Sequence, residues 1–200
     1  AANRDEYYDS YGLLTQLYEY DYGPTLKRKT LISYATLGNG IKDRPSTVVV
    51  CSATGTDTDC GGSGTAVAKT SYTYTNTVDS ISGTPQWEDV GTAARGNATT
   101  VMLTTKFSPL TTISRDIRYY NTGMVHWAKD FNANQTTYSY SGSSCGNAFP
   151  TSVSLPMSLS GSMSWNCTGG VLTSTTDANA GTTDYTYDDS DFWRLTEVMG

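Results

Sequence analysis

A two-residue alternation of hydroxyl and aromatic side chains runs through this chain and limits its fold more than any other feature. It is seen in Ser71-Tyr72-Thr73-Tyr74, in Tyr138-Ser139-Tyr140 and in Tyr185-Thr186-Tyr187. Successive side chains of a β-strand point to opposite faces, so this period is typical of strands with one half-buried face. Helical patterning is nearly absent. The alternation therefore predicts an all-β protein of short antiparallel strands.

Turn-forming residues separate the alternating stretches. They recur at Gly23-Pro24, Asn39-Gly40 and Gly169-Gly170. Asn39-Gly40 is the strongest hairpin signal, because a type I′ turn needs a positive φ at both central residues. We expect one continuous β array over residues 1–200, with inserted loops or hairpins at about 51–60 and 145–167.

Two segments of the chain repeat each other's spacing. The step from Gly to Asp covers 7 positions in both (123 to 130 and 170 to 177), and the step from Asp to the last Tyr covers 10 (130 to 140 and 177 to 187). The pattern reads as a strand, an Asx-type turn and a returning Thr-x-Tyr-x-Tyr strand. Such a unit cannot bury its own apolar face. The units are therefore expected to stack into a curved or spiralling sheet.

Further short motifs combine strand-forming and turn-forming residues in a similar order. Tyr185-Thr186-Tyr187-Asp188 is followed by Arg194-Leu195-Thr196, and Tyr8-Asp9-Ser10-Tyr11-Gly12 opens the chain in a similar way. Tyr120-Asn121-Thr122-Gly123 has Asn in the Asp place, and Arg95-Gly96-Asn97 precedes a Thr-rich strand. Taken in order, these motifs resemble the YD-repeat (RHS-repeat) family of bacterial proteins. The signature positions are Tyr8, Asp9, Gly12, Tyr120, Gly123, Asp130, Tyr138, Tyr140, Gly170, Asp177, Tyr185, Tyr187, Asp188 and Arg194.

The resemblance implies a structural function. Long YD-repeat arrays spiral into a hollow β-shell, which in toxin proteins encloses a C-terminal cargo. Phe192-Trp193 departs from the signature, which usually has Gly before Arg. The chain is expected to be too short to close a shell alone.

Four cysteines, Cys51, Cys60, Cys145 and Cys167, allow three disulfide connectivities, and free thiols are the alternative. Their spacing and the single histidine do not suit a zinc site. Loop closure favours Cys51 with Cys60 and Cys145 with Cys167, since each pair brackets a turn-rich excursion. Disulfides in turn predict an oxidising, secreted or cell-surface location.

Charge argues against nucleic acid as a partner. The formal net charge is −6, and the basic cluster is Lys27-Arg28-Lys29, whereas phosphate binding needs many clustered cations. The trio is interpreted as an edge-strand or loop feature that discourages sheet-to-sheet association. No apolar run reaches the length of a membrane helix. The expected partners are other repeats or further copies of the chain, with surface glycans as a second possibility.

The sequence motifs that could indicate catalysis or metal binding are incomplete. His126 would have to serve any histidine-based catalyst, and it is better explained as a strand-face side chain beside Trp127. The stretch from Asp130 imitates the opening of an EF-hand loop, but Gln135 stands where that loop needs Gly and Ser141 where it needs Glu. We expect no enzyme activity, no cofactor and no metal.

The chain is therefore expected to be a structural repeat segment, either part of a β-shell wall or a unit that assembles head-to-tail into an extracellular fibre. The alternative is an adhesin or carbohydrate-binding module that uses exposed aromatic rings. An enzyme fragment is the weakest of the three hypotheses.

Overall fold

The computed structural model describes residues 2–89, 91, 93–142 and 145–200. Within them the chain is all-β, as the alternation predicts, and α-helices are absent. Three single turns of 3-10 helix occur, at Thr58–Cys60, Pro156–Ser158 and Asp189–Asp191. The rest of the regular structure is a series of antiparallel strands.

In the part of the chain that the structure describes, fourteen strands follow one another, and their order in the sheet is their order in the chain. Every pairing is antiparallel between sequence neighbours, as hairpin connections allow. The strands are β1 Ala2–Tyr8, β2 Leu14–Tyr22, β3 Leu26–Tyr34, β4 Pro45–Ser52, β5 Thr65–Thr73, β6 Thr100–Phe107, β7 Leu110–Tyr119, β8 Val125–Lys129, β9 Gln135–Ser139, β10 Ser152–Ser154, β11 Ser160–Asn166, β12 Val171–Thr176, β13 Thr182–Asp188 and β14 Arg194–Met199.

The chain divides into two compact units. The first comprises Ala1–Asn76 with Thr92–Asp116, and the second Thr77–Gly91 with Ile117–Gly200. The expectation of a single continuous array over residues 1–200 stays a prediction.

The first unit has a small core around a disulfide. Val49, Cys51, Cys60 and Ala66 are buried, and Phe107 packs against them. A sheet with so few fully buried side chains is held largely by its ladder hydrogen bonds and cross-strand pairs.

Lys29 corrects the interpretation of the basic trio. It lies on β3, which is paired on both sides with β2 and β4, so the trio is not at a sheet edge. Its side chain is buried, and Nζ donates to the carbonyl oxygen of Cys60. Lys29 pairs with Cys51 across the ladder, and the acceptor offsets the cost of burying the ammonium.

The second unit contains the two segments with matching spacing and the longer of the two cysteine loops. The segment between Cys145 and Cys167 supplies β10 and β11, which lie in the sheet between β9 and β12. At its base Phe149 stacks on Trp165 with ring centroids 4.7 Å apart, and Trp165 Nε1 donates to the carbonyl of Pro150 at 2.7 Å.

Candidate functional site: repeat hairpins and a polar cluster

The segments with matching spacing form two hairpins of identical register. In the first, Trp127 pairs with Thr137. In the second, Ser174 pairs with Asp184, so both partners lie 47 positions further on. The next two pairs of each ladder keep the same offset.

The turns of these hairpins share their backbone-amide hydrogen bonds. Asp130 N donates to Asn134 O at 3.0 Å, and Asp177 N donates to Gly181 O at 2.8 Å. Each Asp Oδ1 also accepts the amides two and four positions further on, at 2.8 and 2.9 Å for Asp130 and at 2.8 Å twice for Asp177. A short carboxylate side chain can satisfy both amides, which is why Asp favours this turn. For Asp130, hydrogen bonds from the side chain and backbone of Asn134 lower the carboxyl pKa.

A third turn of the same kind closes the β1–β2 hairpin. Asp9 Oδ1 accepts the amides of Tyr11 and Leu13 at 2.8 and 2.9 Å, and Asp9 N donates to Leu13 O. The residue three positions after the Asp has a positive φ in all three turns. It is Gly12 (77°) here, and Ala133 (64°) and Ala180 (65°) in the others. The repeat-opening motif at Tyr8-Asp9 is thus the same turn, a correspondence that the 7-and-10 spacing did not show.

The motif at Tyr120 corrects the expectation that Asn121 stands in the Asp place. Tyr120 takes the first position of that turn: its amide donates to Met124 O at 2.8 Å, and Gly123 N donates back to Tyr120 O at 2.9 Å. The Asn121 side chain instead accepts the amide of Ile81 at 3.0 Å. The turn therefore forms from backbone geometry, with Gly123 at φ 89°.

Tyr185 and Tyr187 both lie on β13, where residues two apart point to the same face, whereas Tyr138 lies on β9 and Tyr140 follows its end. Tyr140 is buried, its hydroxyl donates to Val125 O at 3.0 Å, and its burial raises the pKa of the phenol. Its ring also meets Tyr120 edge-on at 5.6 Å. Tyr185 and Tyr187 pair with Val198 and Leu195 of β14.

The Tyr187-Asp188 motif leads into the connection to β14. Asp188 pairs with Arg194 across the hairpin, and its Oδ1 accepts the amide of Ser190 at 3.1 Å. Arg194 forms an ion pair with Asp191 at 2.7 Å. Gly170, which opens the second repeated segment, has a φ of 65°.

The structure joins Cys51 to Cys60 and Cys145 to Cys167, with Cα–Cα distances of 6.0 and 5.1 Å. Cys51 lies on β4 and Cys60 in the 3-10 turn that follows, and both are fully buried. The other bond joins a residue before the β10–β11 hairpin to the one just after it.

A polar cluster centred on Asp79 lies in the second unit. Asp79 Oδ1 accepts from Arg118 Nε at 3.1 Å and from its terminal nitrogen at 2.9 Å. His126 Nδ1 lies 2.6 Å from Asp79 Oδ2, and the imidazole stacks on Tyr120 at 4.5 Å. Both carboxylate oxygens are therefore engaged. The hydrogen bonds from Arg118 and, less strongly, from His126 lower the pKa of Asp79 against the opposing effect of burial.

Sequence reasoning placed His126 on a strand but missed Asp79 and Arg118. Asp79 lies in an irregular segment, 39 and 47 positions from its partners. No motif connects residues at that distance. The chemistry of the cluster is that of an anchor, because Arg118 and His126 both direct nitrogen atoms at one carboxylate on another segment.

Other kinds of site are not found in the described part of the chain. Among those residues no group of three or more His, Cys, Asp or Glu side chains is placed to hold a metal ion. No described helix has the length and apolarity to cross a membrane.

No protein-family model matches the sequence, and no curated protein matches it significantly. A comparison with solved structures aligns this chain with the crystal structure of TcdB2-TccC3-TEV, at a TM-score of 0.46 and 12% identity. For a Photorhabdus luminescens Tc holotoxin pore the TM-score is 0.44 and the sequence identity 11%. For TcdB2-TccC3-Cdc42 the TM-score is 0.42 and the sequence identity 11%. Each comparison covers 98% of this chain but only 10% to 12% of the other.

Proposed function

We propose that this chain is a structural repeat segment of a large secreted or cell-surface protein of the YD-repeat (RHS-like) type. The observation that carries the proposal is that the Asp130 and Asp177 hairpins have the same register, the same backbone-amide hydrogen bonds in the turn and the same positive φ three residues after the Asp. A repeated supersecondary unit that stacks on its neighbours is the mark of an array, whose function is to build a wall or a fibre.

The edges of the sheet favour association with like units. Among the described strands, β1 pairs with β2 alone and β14 with β13 alone. An edge strand offers unpaired amide and carbonyl groups, which are a template for another strand. Strand direction alternates over fourteen strands, so β1 of a further copy would again lie antiparallel to β14.

The two disulfides support the extracellular part of the proposal. Such bonds persist in oxidising compartments and are rare where thiol systems keep cysteines reduced. The proposed role is not enzymatic. The role proposed for the Asp79 cluster, with Arg118 and His126, is to anchor one segment to another.

Negative-stain microscopy of the purified chain tests the proposal. Fibres are expected if the edges join head-to-tail, and single particles if the chain is a wall segment that needs its covalent neighbours. The matched variant carries Leu195→Lys and Val198→Lys on β14, where both side chains are about half exposed. The added charges should abolish fibres without unfolding the chain.

A glycan array on the same preparation separates the alternative. Saturable binding of one glycan class, with no fibres and no dependence on the β14 variant, would contradict the structural role. It would instead indicate an adhesin or carbohydrate-binding module.

A further inference from the structure

Residues 77–89, which we call the strap, form an irregular segment of the second unit. In the sequence they lie between β5 and β6, yet they pack with residues 117–200. A segment without strand pairing along its length is held by a few specific contacts, so those contacts decide whether it stays in place.

The first anchor of the strap is Asp79. Its amide donates to Tyr119 O at 2.9 Å, and its carbonyl accepts from Asn121 N at 2.8 Å. Its carboxylate accepts a hydrogen bond from Arg118 and lies against His126 Nδ1, as described above. This anchor joins the start of the strap to the β7–β8 hairpin.

The second anchor is the turn immediately after Cys145. Asn147 Nδ2 donates to Ser82 O at 2.7 Å. Gly146 has a φ of 62°, and a Cβ at this position would clash with Gly83 O and lie 3.0 Å from Pro85 Cδ. Gly146 is therefore needed for the close approach, and Asn147 supplies the hydrogen bond.

The Cys145–Cys167 disulfide holds that second anchor in shape. Gly146 and Asn147 both have positive φ, at 62° and 60°, a conformation that Gly adopts freely and Asn only at a cost in free energy that its surroundings must offset. Cys145 is buried directly before them, and Cys167 is exposed on the other side of the bond. The Phe149–Trp165 stack and the Trp165–Pro150 hydrogen bond hold the loop further along, without the disulfide.

We propose that the Cys145–Cys167 disulfide is a redox-controlled latch for the strap. A dithiol reductant attacks a sulfur, passes through a mixed disulfide and leaves as a cyclic disulfide, transferring two electrons and two protons to give two cysteine thiols. The residues after Cys145 then lose the constraint that presents Gly146 and Asn147. The strap is released at Ser82 to Pro85 and stays attached at Asp79 and at Ile81, whose amide donates to Asn121 Oδ1.

Backbone 15N relaxation of the full chain by NMR, before and after treatment with dithiothreitol, tests the latch. The order parameters of residues 82–84 and 86–88 are expected to fall from about 0.85 to below about 0.6 on reduction, while those of β12 and β13 stay near 0.85. A Cys145→Ser, Cys167→Ser variant should match the reduced chain. The matched control, Cys51→Ser with Cys60→Ser, removes the other disulfide and should leave the strap order parameters unchanged.

Two outcomes would overturn the proposal. One is unchanged order parameters in the strap after mass spectrometry has verified that Cys145 and Cys167 are thiols. The other is a fall of the order parameters throughout β8 to β13, because the bond would then hold the whole unit and not the strap. Asn147→Ala with the disulfide intact gives an independent arm, and it is expected to lower the strap order parameters by a smaller amount.

Discussion

Asp130 and Asp177, 47 positions apart, stabilise their turns in the same way, because each carboxylate accepts the two amides that its own turn leaves without a ladder partner. The neighbouring side chains differ, with Phe131 in one turn and Ala178 in the other. The turn therefore depends on the Asp and on the backbone, and substitutions can test it separately from packing.

We expect Asp177→Ala to lower the thermal unfolding midpoint by about 2–4 °C, because two amides lose their acceptor. Asp177→Asn keeps an oxygen in the same place and should change the midpoint by less than half as much. Differential scanning calorimetry measures both. Equal effects of Ala and Asn would show that the charge of the carboxylate matters and not its hydrogen bonds.

The positive φ three residues after each Asp predicts substitutions that raise the stability of the chain. Ala180→Gly and Ala133→Gly should each stabilise the chain by about 0.5–1 kcal/mol, since Gly adopts this conformation without the Cβ clash that Ala suffers. Gly12→Ala, at the equivalent position, should destabilise it by a similar amount. Urea unfolding measures all three, and a destabilising Ala180→Gly would contradict the assignment.

Acid is expected to weaken the Asp79 anchor. The folded-state pKa of Asp79 lies below its ordinary value, so its contribution to stability is fully present above about pH 4. That contribution is lost as the pH falls through the lowered pKa, when the carboxyl becomes protonated and Arg118 loses its partner. Urea unfolding between about pH 2 and 5 should show a steeper loss for the natural chain than for Asp79→Asn. Parallel curves would show that Asp79 is not stabilised by its partners.

A tryptic digest without reduction is expected to yield both disulfides as intrapeptide bonds. Trypsin leaves Cys51 and Cys60 together on residues 43–69, and Cys145 and Cys167 together on residues 130–194, because these stretches lack internal sites apart from Arg44-Pro45. Each peptide should be two hydrogens lighter than its reduced form. A single cross-linked product of the two peptides would instead show a crossed pairing.

The local features of this protein were contained in its sequence. The alternation of hydroxyl and aromatic residues determined the strands, since side-chain direction has a period of two in any β-strand. The Asp turns and the matched spacing of residues 123–140 and 170–187 predicted the repeated unit, because an Asx turn is decided within five residues. Loop closure, likewise local, favoured the cysteine pairs that the structure contains.

Tertiary structure decided what depends on residues far apart in the chain. Lys29 looked like an edge charge, but pairing on both sides of β3 buried it against Cys60. Asn121 resembled a turn residue, but its side-chain oxygen accepts the amide of Ile81 in the strap. Asp79 carried no signal at all. The energy of an ion pair depends on distance in space. Asp79 lies 39 and 47 residues from Arg118 and His126 in the sequence, and only folding brings these side chains together.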